Sequence, residues 1–224
     1  MILAAGRGER LRPLTDVVPK ALIEAGGKPL IAWHLERLAA AGCREAVVNV
    51  SHLGERIEAS IGDGARYGIR VLYSREPAPL ETAGGVAKAL LLLGTEPFLV
   101  VNADVYCECD FAHLLGLALG ARRGHLVLIP NPPHRPGGDF TLEAGWVGNR
   151  AGPRYTYAGV SVLSPALVAQ VRAGERAQLA PLLREAAEQR LISGEHYEGA
   201  WHDAGTRERL GELQAYLASR HEAH

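Results

Sequence analysis

The sequence predicts an α/β fold in which a mostly parallel sheet is flanked by helices. Short apolar runs alternate with helical patterns along most of the chain, which is typical of successive strand–helix units. Between residues 131 and 154 the chain is instead rich in Pro, Gly and Asn. Alternating Phe140 and Leu142 and the pair Trp146-Val147 predict short antiparallel strands there. We therefore expect one domain over residues 1–224, with a small β-rich insert at 131–154.

Each element of this fold has a local signal. Pro29 can occupy the first turn of a helix whose apolar positions Ile31, Leu35 and Leu38 recur at helical spacing, and Gly42 can end it. Strands are predicted over residues 2–5, 46–50, 69–73, 98–101, 126–129 and 157–163. Further helices are predicted over 57–61, 86–93, 114–119, 179–187 and 207–217.

Composition narrows the class of protein. Hydrophobic residues make up 47% and charged residues 22%, which is ordinary for a globular protein, and 224 residues allow one sizeable core. The net charge of −1, without a long basic tract, disfavours a nucleic-acid partner. No apolar run approaches the roughly 20 residues that span a bilayer, so no membrane partner is expected. The first residues also lack the regions of a secretory signal.

The cysteines predict a reduced, cytoplasmic protein. An odd number, comprising Cys43, Cys107 and Cys109, argues against a disulfide framework. Cys107 and Cys109 form a C-x-C without a second pair, which does not predict a zinc site. No sequence feature indicates an obligate protein partner, and the oligomeric state is not predicted.

A glycine-rich, cationic loop follows the first predicted strand. Gly6 and Gly8 allow the backbone to turn sharply and approach a ligand, so that N–H groups can face phosphates. Cations outnumber anions in this loop by four to two: Arg7, Arg10, Arg12 and Lys20 against Glu9 and Asp16. A cationic turn at the carboxyl end of a strand predicts polyphosphate binding.

Other glycine motifs fit this loop less well. Gly-x-Gly alone is most often a turn. The dinucleotide-binding motif needs a third glycine where Leu11 stands, and an immediate helix that Pro13 prevents, which disfavours a dinucleotide-dependent oxidoreductase. A P-loop requires Gly-Lys-Ser/Thr, which is absent.

The loop resembles the signature of sugar-phosphate nucleotidylyltransferases, in the stretch Leu3-Ala4-Ala5-Gly6-Arg7-Gly8-Glu9-Arg10-Leu11-Arg12-Pro13-Leu14-Thr15 followed by Pro19-Lys20. The resemblance implies a Rossmann-like mixed sheet of the nucleotide-diphospho-sugar transferase type. It implies that Arg10 stabilises the transferring phosphoryl group and that Lys20 contacts phosphate. The nucleotide-binding residues that it implies are Leu3, Ala4, Ala5, Gly6, Gly8, Arg12, Glu76, Gly85 and Asn102.

Two further segments extend the resemblance over nearly the whole chain. The run from Tyr73 to Glu76, followed by 79–85, resembles the family's base-binding segment, which implies that Glu76 lies near the base edge and that Gly85 offers its backbone to the base. Asp104 follows an apolar strand, at the rim where α/β proteins bind ligands. Asp203 lies in a stretch that resembles the family's W-x-D-x-G-T motif: Trp201-His202-Asp203-Ala204-Gly205-Thr206.

The two aspartates together imply a magnesium site. Mg²⁺ commonly uses one or two carboxylates with phosphate oxygens and waters. Taken singly, either aspartate also fits a cap or turn, and Thr206 can cap the helix that follows Asp203. Ala103 stands where the family usually has glycine.

The activity implied is the transfer of a nucleotidyl group. A sugar 1-phosphate would attack the α-phosphorus of a nucleoside triphosphate in line, and pyrophosphate would leave. A phosphate monoester is largely ionised at neutral pH, so positioning and positive charge matter more than a general base. We therefore assign no catalytic role to His34, His52 or His202.

The substrate is less closely defined. Many relatives carry Glu-Lys-Pro in the sugar-binding region, where this chain has residues 131–140 instead. Together with the run 79–82 and the short length, this resembles most the N-acetylmuramate 1-phosphate uridylyltransferases of bacterial cell-wall recycling, which implies UTP as the nucleotide. Enzymes acting on mannose or glucose 1-phosphate are the alternatives. The expected sugar contacts are Asp139, Tyr157 and Gly159, with a cation for the lactyl carboxylate among His134, Arg135 and Arg154.

A binding protein that senses a nucleotide sugar without turning it over is the rival hypothesis. Intact Arg10, Lys20, Asp104 and Asp203 argue against it, since a sensor needs no catalytic cations or metal ligands.

Overall fold

The computed structural model describes residues 1–221, which form two compact units. The first unit contains Met1–Pro79, Asn102–Phe111 and the chain from Ala200 onward, and the second contains Leu80–Val101 and Ala112–Gly199. One domain over 1–224 stays a prediction. Among the described residues, no helix is both long enough and apolar enough to cross a bilayer.

The elements, numbered in chain order over the described residues, are as follows. The strands are β1 (Ile2–Leu3), β2 (Glu24–Ala25), β3 (Lys28–Pro29), β4 (Glu45–Val50), β5 (Arg70–Arg75), β6 (Phe98–Asn102), β7 (Val105–Cys107), β8 (Gly124–Ile129), β9 (Phe140–Glu143), β10 (Trp146–Gly148), β11 (Arg154–Leu163), β12 (Ile192–His196) and β13 (Trp201–Asp203). The α-helices are α1 (Leu14–Val17), α2 (Leu30–Ala40), α3 (Gly54–Ile61), α4 (Glu81–Leu93), α5 (Phe111–Leu115), α6 (Leu179–Glu188) and α7 (Arg207–His221).

Parallel pairing organises the first unit. Its strands lie in the order β5-β4-β1, with Ile2 opposite Val48 and Val48 opposite Tyr73. Residues 46–50 of β4 are all buried, as expected of a parallel strand covered on both faces. Two antiparallel pairs, β2–β3 and β7–β13, complete the unit. The predicted helix after Pro29 is confirmed as α2, which buries Leu35 and Leu38.

The second unit has a mixed sheet in the order β6-β11-β8-β12-β10-β9. Only β12–β8 is parallel among its described pairs, and β11 runs antiparallel to both β6 and β8. The expectation of an α/β fold with a mixed sheet is confirmed, but an all-parallel run of strands is found only in the β5-β4-β1 part of the first unit. The reason is that β8 leads to β11 through the β9–β10 hairpin, without the crossover helix that a parallel return requires. The hairpin lies inside 131–154, where short antiparallel strands were expected.

Some elements differ from the prediction. The helix expected over 114–119 is α5, which ends at Leu115 because Gly116 and a tighter turn at Leu117 follow. Strands β7, β12 and β13 were not predicted. β12 has the sequence Ile-Ser-Gly-Glu-His, and β7 and β13 have three residues each, so none has a clear apolar period.

Helix α7 is anchored by apolar contacts in the first unit. Leu210, Leu213 and Leu217 pack into a buried cluster whose other members are Leu11, Ile23, Ala25, Leu30, Tyr106 and Ala204. Helix α7, which follows β13, therefore shares a core with Leu11 of the glycine-rich loop.

Replacing Leu213 by Ala tests this anchoring. Leu213 has no exposed surface, so Leu213→Ala should lower the free energy of unfolding by about 2–5 kcal/mol, through lost burial and the cavity left behind. Glu212→Ala, at an exposed position of the same helix, should change it by less than about 0.5 kcal/mol. Urea denaturation of both variants measures the difference, and equal midpoints would contradict the proposed packing.

Candidate active site

The glycine-rich loop turns sharply because Gly8 adopts a left-handed conformation. Its φ is +64°, and a Cβ there would lie 2.8 Å from Thr15 Cγ2 and 3.3 Å from Lys20 Cβ. Buried Thr15 donates from Oγ1 to the Gly8 carbonyl at 2.8 Å, and a 3-10 turn over Glu9–Leu11 follows. The turn leaves Gly6, Arg7 and Arg10 exposed, so the loop presents backbone and cations to solvent.

Lys20 and Asp104 form a side-chain ion pair across 84 residues of sequence. The lysine side chain is 12% exposed and the aspartate 32%, so the pair opens to solvent on the aspartate side. Asp104 lies in the turn just after the carboxyl end of β6, separated from it by Ala103, which confirms that it follows this strand. Ala103 is buried, and its N–H donates to the carbonyl of Leu3 at 3.0 Å, which ties the aspartate turn to β1.

The two predicted metal ligands lie at the β7–β13 pair, Asp203 in β13 and Asp104 in the turn just before β7. In the β7–β13 ladder Asp203 is opposite Val105, and the Ala204 N–H donates to the Asp104 carbonyl at 2.8 Å. Asp203 Oδ1 accepts from the Gly205 N–H at 2.9 Å and lies 3.0 Å from Arg209 Nε. The structure therefore brings together backbone positions that are about a hundred residues apart in the chain.

Two guanidinium groups approach Asp203 around Gly205. A Cβ on Gly205 would contact Arg209 Nη2, and it would lie 2.6 Å from Asp203 Oδ1 and 3.0 Å from Arg10 Nη2. A side chain at Gly205 would require these three side-chain ends to shift. The predicted loop arginine and the second predicted aspartate therefore both border Gly205, and Arg209 is the cation that pairs with Asp203.

The donor set suits a hard divalent cation that substrate helps to hold. Among residues 1–221, no group of three or more His, Cys, Asp or Glu side chains could hold a metal ion without help. Mg²⁺ takes one or two carboxylates when phosphate oxygens and waters complete its shell. Asp104 and Asp203 are the two carboxylates of this site that could hold such an ion, and their role as metal ligands stays a prediction.

A buried polar relay connects the loop to the predicted base-binding segment. Asn49, at the end of β4, accepts from the Ala4 N–H at 2.8 Å and donates through Nδ2 to Glu76 Oε1 at 2.7 Å. Asn49 and Glu76 are both buried, and the Glu76 N–H donates to the Val50 carbonyl at 2.8 Å. The side chain of Glu76 thus helps to position the start of the glycine-rich loop, while its role at the base edge stays a prediction.

Gly85 lies within a helix, and its role at the base stays a prediction. Gly85 is the fifth residue of α4 and is buried, so its N–H belongs to the helical ladder rather than to the four unpaired groups of the first turn. The N–H groups of Ala83 and Gly84 donate to the Ala177 carbonyl. The helix begins instead at Glu81, whose φ of +60° is unusual for a residue with a Cβ. The spacing in the sequence did not indicate that the helix starts four residues before Gly85.

The three predicted sugar-binding residues lie close together in the second unit. Asp139 Oδ2 accepts from the Tyr157 N–H at 2.9 Å, and the Tyr157 hydroxyl lies 2.8 Å from Ser161 Oγ. Gly159, with φ of +77°, lies between Tyr157 and Ser161, where the register of β11 against β8 shifts. Burial raises the pKa of Tyr157 to about 12, so its hydroxyl is protonated at neutral pH.

The cations expected near the sugar already have protein partners. Arg135 Nη1 lies 3.5 Å from Asp139 Oδ2. Arg154 Nη2 donates to the Asp139 carbonyl at 2.5 Å and to Asn149 Oδ1 at 3.0 Å. Of these two, Arg135 is the more exposed, which leaves it better placed to meet a ligand.

Two histidines of the first unit, His34 and His202, pack against aromatic side chains. Burial lowers the pKa of His34 to about 4, so the ring is neutral at pH 7, and it stacks at 6.4 Å on Phe111. His202 lies 4.7 Å from Tyr216 between ring centroids, and burial also lowers its pKa. The hydroxyl of Tyr216 donates to Glu108 at 3.0 Å, which secures α7 behind the strand that carries Asp203.

Sequence reasoning missed Asn49 and Arg209. Asn49 interrupts an apolar strand near its carboxyl end, the same kind of signal that singled out Asp104. Arg209 lies in the first turn of α7, three residues after Thr206, whose Oγ1 accepts from the Arg209 N–H at 3.3 Å. The sequence predicts the cap at Thr206. It does not predict that the helix begun by this cap brings Arg209, its third residue, next to Asp203.

Known protein sequences resemble this chain over most of its length. The sequence profile of the nucleotidyl transferase family matches residues 1–140. An N-acetylmuramate alpha-1-phosphate uridylyltransferase of Neisseria meningitidis serogroup B is 49% identical over 222 residues, which cover 96% of each chain. A mannose-1-phosphate guanylyltransferase catalytic subunit beta of Drosophila melanogaster is 29% identical over 98% of this chain and 63% of its own length.

Solved structures share the fold at low sequence identity. The structure of a candidate glucose-1-phosphate thymidylyltransferase from Bacillus anthracis superposes with a TM-score of 0.84 at 17% identity, covering 96% of this chain and 93% of the other. HddC from Yersinia pseudotuberculosis, solved in complex with GMP-PN, gives a TM-score of 0.77 at 19% identity, covering 96% and 97%. These likenesses establish the fold.

Asn49→Ala tests the relay between Ala4 and Glu76. The change removes the acceptor of one buried N–H and a donor to a buried carboxylate, so it should lower the free energy of unfolding by about 1–3 kcal/mol. Glu45→Ala, at the exposed start of the same strand, removes only a surface ion pair with Arg70 and should cost less than about 1 kcal/mol. Thermal unfolding followed by circular dichroism compares the variants, and a wild-type midpoint for Asn49→Ala would exclude the relay.

Proposed function

The chain belongs to the nucleotidyl transferase family, and we propose that it joins N-acetylmuramate 1-phosphate to UTP, releasing pyrophosphate. The observation that carries the proposed chemistry is the convergence of Arg10, Lys20, Asp104 and Asp203 in one compact unit. The choice of sugar and base is supported by the 49% identity, over 96% of both chains, to a uridylyltransferase of that specificity.

The cations of the loop would carry the polyphosphate. Two anions must meet for the sugar phosphate to attack the α-phosphorus, and fixed positive charge reduces their repulsion. Arg10 is exposed beside Asp203, where it can stabilise charge on the transferring phosphoryl group. Lys20 is nearly buried and paired with Asp104, so it would contact phosphate from a fixed position. Arg12 is exposed and lies 3.1 Å from Asp16, and we propose that it helps to bind the polyphosphate at the exposed side of the loop.

Asp104 and Asp203 would hold a magnesium ion. When bound, the ion would neutralise phosphate charge and help to orient the α-phosphorus for in-line displacement. The protein's own contribution is to fix the two carboxylates through the β7–β13 ladder before substrate arrives.

The rest of the proposed nucleotide site comes from the loop and the segments beside it. Leu3, Ala4 and Ala5 lead into the turn made by Gly6 and Gly8, and Asn102 ends β6 just before Asp104. Glu76 is proposed to lie near the base edge.

The proposed sugar-binding residues are Asp139, Tyr157 and Gly159. Asp139 already orders the backbone of Tyr157, so these groups form a preset surface rather than a mobile loop. Arg135 is the proposed partner of the lactyl carboxylate, because its partly exposed side chain can turn from Asp139 to a ligand. We also propose that the protein acts in the cytoplasm in cell-wall recycling. Its three cysteines are free thiols, in agreement with a reducing compartment.

A substrate panel tests the proposed specificity. The protein is incubated with Mg²⁺, each of UTP, dTTP, GTP and CTP, and the 1-phosphates of N-acetylmuramate, mannose and glucose, and pyrophosphate release is measured. Release should be fastest with UTP and N-acetylmuramate 1-phosphate. Faster release with GTP and mannose 1-phosphate would instead favour the activity of the Drosophila relative, and no release with any pair would favour a sensor.

Removing either charged group tests the proposed chemistry. Asp104→Asn and Arg10→Ala should leave the fold intact and lower turnover at least about a hundredfold, the scale of losing one preorganised charge-stabilising group. Arg70→Ala, at an exposed site of the same unit, is the matched control and should turn over normally. Initial rates of pyrophosphate release at saturating substrate provide the measurement, and near-normal turnover in a variant would remove that residue from the mechanism.

A further inference from the structure

Arg209 is a buried cation whose hydrogen-bonding groups are only partly satisfied. Its side chain is 13% exposed, and its Nε and Nη2 atoms are fully buried without a hydrogen-bond partner among the described residues. The 3.0 Å contact from Nε to Asp203 Oδ1 is therefore an ion pair without hydrogen-bond alignment. Burying a cation is unfavourable unless an anion lies close, so this guanidinium depends on Asp203.

The position of Arg209 is set by a helix rather than by a loop. Its N–H donates to the capping oxygen of Thr206, and the Leu210 N–H donates to the Thr206 carbonyl at 2.9 Å. Leu210 and Leu213 fix the same turns of α7 to the buried core. The guanidinium thus approaches Asp203 from a rigid support.

Gly205, which lies two residues after Asp203, also holds the Asp203 carboxylate. Its N–H donates to the same Oδ1 atom of Asp203 that Arg209 approaches, so one oxygen of the carboxylate is held from two directions. The absence of a side chain at Gly205 provides the space in which Arg209, Arg10 and Asp203 meet. The two arginines differ in exposure, since Arg10 faces solvent and Arg209 is enclosed.

We infer that Arg209 is a positioning residue that orients the carboxylate of Asp203 for the divalent cation. This inference rests on the proposed function, because it concerns the metal ligand assigned there. Arg10 is exposed and is therefore available to phosphate, whereas the buried Arg209 acts through Asp203. Partners that orient metal ligands commonly change metal affinity by about 10–100-fold when they are removed.

Metal binding without turnover tests this role. Mn²⁺ replaces Mg²⁺ as the probe, and free Mn²⁺ is measured by electron paramagnetic resonance with the full chain and UTP. Arg209→Met, which keeps much of the volume but removes the charge, should weaken Mn²⁺ binding about tenfold or more. Arg209→Lys, which restores a cation, should recover most of the loss. Arg207→Ala, at an exposed site on the same helical turn, is the control and should bind as the wild type does.

A purely structural ion pair gives a different result. Arg209→Met would then melt at a lower temperature but bind Mn²⁺ with wild-type affinity, and this result would overturn the inference. If Arg209→Met does not fold, Gly205→Ala provides the second test, because its methyl group displaces Arg209 and Asp203 while keeping both. It should also weaken Mn²⁺ binding, and unchanged affinity in this variant would equally overturn the inference.

The same experiment separates this inference from the proposed function. Wild-type protein whose Mn²⁺ binding depends on Arg209, but which releases no pyrophosphate with any substrate pair, would support the positioning role and contradict the activity. Active wild-type protein with normal Mn²⁺ binding in Arg209→Met and Gly205→Ala would do the reverse. Failure of the wild type to bind Mn²⁺ with UTP would overturn the positioning role.

Discussion

The pairing of β7 with β13 is the constraint on which the candidate site depends. Three residues from each strand form the ladder, and the Ala204 N–H extends it to the carbonyl of Asp104. Without this pairing, Asp104 would remain near Lys20, while Asp203 would have no fixed relation to the loop. Helix α7 and the aromatic side chains around Glu108 support the ladder from behind, so much of the first unit's packing serves to hold a short strand in place.

Each of the two carboxylates near that ladder has cationic side chains beside it. Lys20 neutralises Asp104, whereas Asp203 lies between Arg10 and Arg209, so the described site has a surplus of positive charge. A surplus of this kind favours anions of high charge density, such as a triphosphate. It also means that the carboxylates are already compensated before any metal ion arrives, which avoids the cost of two adjacent uncompensated anions.

Much of this site could be predicted from local sequence signals. A glycine-rich turn after a buried strand indicated the loop. A carboxylate just after a second apolar strand indicated Asp104, and neither prediction needed knowledge of tertiary contacts. The place of Arg209 could not be predicted in the same way, because it depends on the space left by Gly205 and on the direction in which α7 leaves its cap. Likewise β13 exists as a strand only because β7 pairs with it. The start of α4 was not predicted either, because the sequence did not show that the helix begins at Glu81, a residue with a positive φ.

The wide separation of the paired segments has a consequence for biosynthesis. Residues 112–199 belong to the second unit and are translated between the two halves of the ladder. A nascent chain that has reached residue 199 therefore contains the phosphate loop, Lys20 and Asp104, but no partner strand for β7. Closing so long a segment carries an entropic cost that must be met before the ladder forms. The ladder that places Asp203 next to the Asp104 turn can therefore form only after the chain has been translated through β13.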